Sequence, residues 1–313
     1  MPQCLISFGA NLGDRDSSIV TAARELASFP EVENFRASRL YETPAIGGPS
    51  GQSSFLNGVA VFDTTARARE VLLWLQSLEE KLGRQRHERW AARSIDLDVV
   101  LHGALIGGGN DLTVPHPRYT ARRFVLRPAC DVAPNYRDPR FGWTLQQLAD
   151  HLDDGNASIA LTGGDEALRR NLGVLLESKH HVRVFQAAPM PQPMSVLGTA
   201  PIAAREAMVT ASQTSIDAVE DQPWVSTFVP ELTNRGNREV PSRCVPRLIG
   251  RVQWTKPEER WPAPHRIWPS NLHWPEYRLE IDDLEWAAGE IASALTSMRC
   301  PLIPIDNNQD WWR

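Results

Sequence analysis

The stretch Glu88-Arg89-Trp90-Ala91-Ala92-Arg93-Ser94-Ile95-Asp96-Leu97-Asp98-Val99-Val100-Leu101 reads as a basic loop running into a short strand. On a strand, side chains two residues apart share a face. Asp96 and Asp98 therefore point one way, while Ile95, Leu97 and Val99 point the other. One face can be buried. The other presents paired hard-oxygen groups beside Arg89 and Arg93, a combination suited to holding Mg²⁺ and a polyphosphate together.

An Asp-x-Asp pair alone more often marks a solvated strand face or a helix cap. Its surroundings change that balance. Thr113-Val114-Pro115-His116-Pro117-Arg118 follows after a hairpin-length interval, and Arg122-Arg123-Phe124-Val125-Leu126-Arg127-Pro128 adds a second basic run. The 313-residue chain carries a net charge of −5, which argues against a nucleic-acid partner. An anionic ligand then needs positive charge gathered locally, and Arg84, Arg86, Arg89, Arg93, Arg118, Arg122, Arg123 and Arg127 gather it. No apolar run is long enough to span a membrane. Met1-Pro2-Gln3-Cys4 lacks the basic stretch and apolar core of a signal peptide. Cys4, Cys130, Cys244 and Cys300 are scattered, without metal-ligand spacing, so a reduced, cytoplasmic setting is expected.

Residues 5–8 read as a buried strand, 16–27 as a helix with Ile19, Ala22, Ala23 and Leu26 as its apolar stripe, and 35–41 as a second strand. Residues 45–54 form a Gly/Pro/Ser loop. Residues 56–62 are a strand, 66–82 an amphipathic helix, and 94–101 the Asp-x-Asp strand. Residues 123–130 and 145–152 are helical despite Pro128. Strand–helix–strand–strand–helix–strand is the ferredoxin-like plan. The fold class expected is α+β: a ferredoxin-like antiparallel sheet with helices on one face, plus a C-terminal α/β domain. Asp153-Asp154-Gly155-Asn156 marks the boundary, giving units 1–154 and 155–313.

The first half resembles the 6-hydroxymethyl-7,8-dihydropterin pyrophosphokinase family, block after block in family order. The blocks are Leu5-Ile6-Ser7-Phe8-Gly9-Ala10-Asn11-Leu12-Gly13-Asp14, Ser38-Arg39-Leu40-Tyr41-Glu42-Thr43-Pro44, Phe55-Leu56-Asn57-Gly58-Val59-Ala60-Val61, residues 79–86, the opening stretch, Thr113-Val114-Pro115-His116, and Arg127-Pro128-Ala129-Cys130-Asp131-Val132-Ala133-Pro134. The resemblance implies transfer of pyrophosphate from ATP to the hydroxymethyl oxygen of a dihydropterin, with AMP leaving. It implies two Mg²⁺ ions held by Asp96 and Asp98. Arg93, Arg84 and Arg122 match the family's basic positions and His116 its Thr-Val-Pro-His donor, all toward ATP. Thr43, Pro44, Phe55, Asn57, Phe124 and Glu79 match the pterin region. Trp90 closes the basic loop over the substrates. On the residues alone, Phe55 and Phe124 fit a core role equally well, and Glu79 an exposed helix carboxylate. Two departures stand out. The 84–90 loop is one residue short, and Ala91-Ala92 replaces the family's Gly-Pro, which alters loop stiffness.

Beyond the boundary, Ser158-Ile159-Ala160-Leu161-Thr162-Gly163-Gly164-Asp165-Glu166-Ala167-Leu168 reads as strand, glycine turn and helix. Strands at 246–252 and 277–282 and a helix at 284–298 follow. The layout resembles a deoxynucleoside-kinase-like P-loop domain without the Walker lysine, which implies an appendage without catalysis of its own. Residues 187–201, rich in proline, read as a surface loop. A retired pterin- or nucleotide-binding scaffold and a bifunctional enzyme with a downstream nucleoside kinase are the competing readings. The intact Asp96, Asp98, Arg93 and His116 argue against the first, and the missing lysine against the second.

Overall fold

β1 (Gln3–Ala10) is buried along almost its whole length, because both faces of its sheet are covered. It pairs antiparallel with β4 (Phe55–Thr64) on one side and β5 (Asp96–His102) on the other. β2 (Val32–Ala37) and β3 (Tyr41–Thr43) both pair with β4. With α1 (Arg15–Ala27) after β1 and α2 (Ala68–Lys81) after β4, the order is βαβββαβ, the expected plan with one strand split in two. This computed structural model describes residues 1–49, 51–84, 93–109, 111–186, 222–230, 232, 245–255, 273–305 and 307–313. The proline-rich stretch 187–201 lies outside them.

The single strand expected at 35–41 is two. Ser38 breaks it: its backbone N–H donates to Val59 O at 2.8 Å, while its hydroxyl accepts from Val59 N at 3.0 Å. Arg39 then turns out to Asp131, with Nη2 2.8 Å from Oδ1. The chain rejoins the sheet only at Tyr41.

Helices cover both faces of the sheet, not the one expected. α1 and α2 bring Ile19 and Leu75 onto Ile6, Phe62 and Leu97. α3 (Arg123–Val132), with α4 (Leu145–Asp153) packed on it, brings Val125 and Leu126 onto Leu5, Val61 and Leu101 on the opposite side. The strands demand this arrangement. Leu5, Val59 and Val61 are as apolar as Ile6, Ala60 and Phe62, so neither side can be left in water. The α3 side turns polar beyond the helix, at Ser7, Asn57, Asp96 and Asp98, and there the sheet stays open. β6 (Gly107–Gly108) and β7 (Thr113–Val114) form a small ribbon after β5.

The second half builds a parallel sheet from β8 (Ser158–Thr162), β9 (Arg183–Phe185), β10 (Trp224–Ser226), β11 (Leu248–Trp254) and β12 (Glu276–Ile281). The order is β12-β11-β8-β10-β9, with α5 (Glu166–His180) and α6 (Leu284–Met298) packed together. The two halves share one core. The apolar cluster that begins at Leu5 and Val61 continues through α3 and α4 to Ile159, Leu172 and Ile291. The chain then returns to the first sheet. β13 (Ile303–Pro304) pairs with β3. Trp311 donates its indole N–H to Ser38 O at 2.7 Å and meets Phe8 edge-on, and Trp312 packs on Phe35. Residues 303–312 thus belong physically with the first sheet, although the boundary at 154 assigned them to the second unit. Among the described residues no helix is long and apolar enough to cross a membrane.

Trp311→Ala should therefore destabilise the whole protein by about 2 kcal/mol, since a half-buried indole and its hydrogen bond are lost together. A lowered urea midpoint reads this out, and an unchanged midpoint would mean that the segment is not integral to the fold.

Candidate functional site

Strand register assembles the floor of the site. Across β1 and β5, Ser7 faces Asp98 and Gly9 faces Asp96. Across β1 and β4, Gly9 faces Asn57, and β3 then sets Thr43 against Phe55. A Cβ at Gly9 would sit 3.3 Å from Asn57 Oδ1 and 3.8 Å from Phe55, so only the smallest residue leaves the floor flat. Asn57 is buried and donates to Thr43 Oγ1 at 2.8 Å. Above this floor lies a cavity of about 540 Å³, a size usual for small-ligand sites. Thr43, Pro44, Phe55, Asn57 and Phe124 line it, and so do Arg84, Arg93, Asp96, Asp98, His116 and Arg122. The expected site residues are thus brought together, with two exceptions. Trp90 lies outside the described residues, and Glu79 lies outside the cavity wall.

The charges are interleaved. Asp96 accepts from Arg93 Nη1 at 2.5 Å through Oδ2 and pairs with Arg84 Nη2 at 2.8 Å through Oδ1. Asp98 Oδ2 accepts from Arg122 Nη1 at 3.0 Å and lies 3.8 Å from His116 Nε2. The Arg122 guanidinium sits 5.9 Å from the Phe124 ring centroid, joining the charged region to the aromatic one. His116 Nδ1 accepts from the Arg118 backbone N–H at 3.1 Å. That bond assigns the ring proton to Nε2, which makes the cavity-facing nitrogen a donor. Burial, with Arg122 and Arg118 nearby, holds the imidazole well below its usual pKa, so it is neutral at pH 7.

Asp96 and Asp98 form a donor set of hard oxygens on one strand face, both opening into the cavity. Such a pair fits Mg²⁺, which takes one or two carboxylates and keeps its waters. Among the described residues no cluster of three or more His, Cys, Asp or Glu could hold a metal. The remaining ligands would have to come from water and phosphate.

Glu79, expected beside the pterin, lies instead under β5. Its carboxylate accepts from Leu97 N at 2.8 Å and pairs with Arg84. It therefore holds Arg84 from behind. Burial, with Asp96 and Asp98 adding repulsion, pushes its pKa up to about 7, against the pull of Arg84 and the Leu97 N–H.

Sequence reading assigned no role to Asn11, although it quoted the motif containing it. Asn11 is buried and joins two loops at the mouth of the site. Its Oδ1 accepts from Arg93 N at 2.7 Å, and its Nδ2 donates to Gln52 Oε1 at 3.2 Å. Its backbone N–H donates in turn to Arg93 O at 3.0 Å. The fixed Gly-x-Asn spacing was the available signal. A larger omission is the wall supplied by the second half: Tyr277, Arg278, Glu280 and Asp282 around β12, with Trp286 and Glu290 of α6, also line the cavity. No local pattern marks them.

The glycine turn after β8 is occupied by its own side chains. Asp165 caps α5 by accepting from Leu168 N at 2.7 Å. Arg169 donates to Gly163 O at 2.6 Å and Gly164 O at 3.1 Å. Gly163 has φ +79°, and a Cβ there would lie 2.5 Å from Val252 O.

Glu79 yields a pH prediction. An acid whose folded-state pKa is raised binds its proton more tightly when folded, so its contribution to stability falls as pH rises from about 4.5 to about 7. Glu79→Gln removes that slope. Relative to wild type, the variant should gain stability between about pH 5 and about pH 8, as read from urea midpoints. A constant difference across that range would contradict the raised pKa.

Residues 5–134 match the family model for 7,8-dihydro-6-hydroxymethylpterin-pyrophosphokinase. The chain is 35% identical over 149 residues to the 2-amino-4-hydroxy-6-hydroxymethyldihydropteridine pyrophosphokinase of Synechocystis sp., covering 48% of this chain and 75% of that protein. It is 37% identical over 134 residues to the enzyme of the same name from Pseudomonas aeruginosa, covering 43% and 82%. With the one from Aquifex aeolicus it shares 33% over 148 residues, covering 47% and 91%. Motif order, strand register and these relatives agree: the chain belongs to the 7,8-dihydro-6-hydroxymethylpterin-pyrophosphokinase family.

Proposed function

We infer that the protein transfers the β,γ-diphosphoryl group of ATP to 6-hydroxymethyl-7,8-dihydropterin in folate biosynthesis. The hydroxymethyl oxygen bonds to the β-phosphorus, the bond from that phosphorus to the α-phosphate oxygen breaks, and AMP leaves. The observation that carries this reading is the meeting, in one cavity, of the Asp96/Asp98 pair with four cationic or donor groups and an amide-and-aromatic recess. A pterin is flat and edged with donors and acceptors. Phe55 and Phe124 hold its faces, Asn57 reads its edge, and Thr43 and Pro44 border it.

The phosphates fall to Arg84, Arg93, Arg122 and His116. Arginine forks match non-bridging oxygens, and the His116 Nε2–H adds a neutral donor. Asp96 and Asp98 would hold Mg²⁺, two ions in all, which when bound would neutralise phosphate charge and acidify the acceptor hydroxyl. Each arginine that now faces a carboxylate is free to turn to phosphate once that carboxylate has a cation. Because His116 presents a donor to the cavity, it serves to bind phosphate and not to accept the hydroxyl proton.

The second half we read as a degenerate P-loop-kinase-like unit without catalysis of its own. Supporting this are its parallel sheet with the first strand at the centre, the absence of a lysine after the glycine turn, and the engagement of that turn by Asp165 and Arg169.

Incubating the full chain with Mg-ATP and the hydroxymethyl dihydropterin should yield one AMP per pterin consumed. Asp96→Ala and Asp98→Ala should each cut turnover by roughly 1,000-fold or more, with the fold retained. Near-normal turnover by either variant at saturating Mg²⁺ would remove the metal assignment. No AMP from the wild type, under conditions where it binds both substrates, would remove the activity.

A further inference from the structure

We propose that the second half of the chain positions the ATP-binding strap 116–122, acting through Glu290 on Arg118, so that nucleotide affinity depends on a residue far outside the family-matched region. This rests on the phosphate roles given above to His116 and Arg122. Those two residues stand at either end of a short segment, and both lie against Asp98. The first half holds it at His116, whose backbone N–H donates to Val100 O at 2.9 Å, and at Tyr119, whose OH donates to Asp138 Oδ2 at 2.6 Å; Arg118, Pro117 and Thr120 are held from the other half. Arg118 Nη1 donates to Glu290 Oε2 of α6 at 2.6 Å, and Tyr277 OH donates to the same oxygen at 3.3 Å. Arg278 N donates to Pro117 O at 3.0 Å. Thr120 Oγ1 donates to Glu276 O at 2.8 Å.

Burial gives these contacts weight. The Glu290 side chain is 7% exposed and Thr120 is 1% exposed. A charged hydrogen bond at such a site contributes more than a surface ion pair, and losing one partner leaves the other stranded. Arg118 lines the cavity but is engaged with Glu290, so it acts as an anchor and not as a phosphate ligand. The Arg118 backbone N–H is also the group that sets the His116 tautomer. Loosening Arg118 therefore disturbs the donor at Nε2 as well as the reach of Arg122. The pterin recess at Thr43, Phe55 and Asn57 is built on β3 and β4, away from this strap, and Phe124, beside Arg122, is its wall nearest to it. The effect should fall mainly on ATP.

The test uses the full chain. Glu290→Gln should raise KM for ATP, and Kd for a non-hydrolysable ATP analogue, by about three- to tenfold, with kcat and pterin Kd within about twofold of wild type. Thr120→Val removes a tie from the opposite side of the contact without changing side-chain shape much, and should act in the same direction. Arg118→Met combined with Glu290→Gln should be no worse than the poorer single variant, because both break one contact. The proposal is overturned if the folded variants bind ATP like wild type, or if ATP and pterin affinities fall together, which would indicate general loosening. If Glu290→Gln does not fold, Thr120→Val decides by the same readings. If the wild type releases no AMP, the activity reading fails, while the analogue Kd still tests the anchor.

Discussion

The alignment of β5 against β1 is the constraint on which the site depends. With Ser7 opposite Asp98 and Gly9 opposite Asp96, the carboxylates open onto the polar end of the α3 face. Side chains alternate with a period of two, so a slip of one residue would drive both carboxylates into the core beneath α1 and α2. It would also lift Leu97 and Val99 into the cavity. The slip is forbidden by the burial of Ile95, Leu97 and Val99 on that other side. The same apolar residues that stabilise the sheet therefore aim the chemistry.

Charge balance explains how a half-buried set of arginines and carboxylates can exist before any ligand arrives. Asp96 is held between Arg84 and Arg93, and Asp98 faces Arg122, so neither sign is left uncompensated away from water. Exchange of partners then becomes the essence of binding. In the proposed reaction, cations would go to the carboxylates and phosphate oxygens to the guanidinium groups, and the net number of buried pairs need not fall. Glu79 tunes this arrangement from below, because it competes with Asp96 for Arg84.

Much of the site was legible in the sequence because its parts are local. Alternation put Asp96 and Asp98 on one face, and family blocks placed Asn57, Thr43, Phe55, Phe124 and Arg122, all of which meet in the cavity. What was not legible is what arises between distant segments. The second helical layer over Leu5 and Val61 follows from both strand faces being apolar, which reads in sequence only as a run of hydrophobic residues. Glu79 was misplaced because a helix stripe shows which side is inward but not which strand lies there. The wall from β12 and α6 has no pattern at all. Tyr277 and Glu290 look like ordinary strand and helix residues until the shared core brings them to Arg118.

The return of β13 to β3 gives the chain an unusual order of assembly. Glu42 and Tyr41 are made early, yet the partners they pair with, Ile303 and Pro304, are made only after the entire parallel sheet. Until then β3 is an unprotected edge beside the cavity, open to pairing with other chains. A growing polypeptide would thus carry a finished second half and an unfinished first one. Chaperone dependence during synthesis, more than equilibrium stability, is where that ordering would be felt.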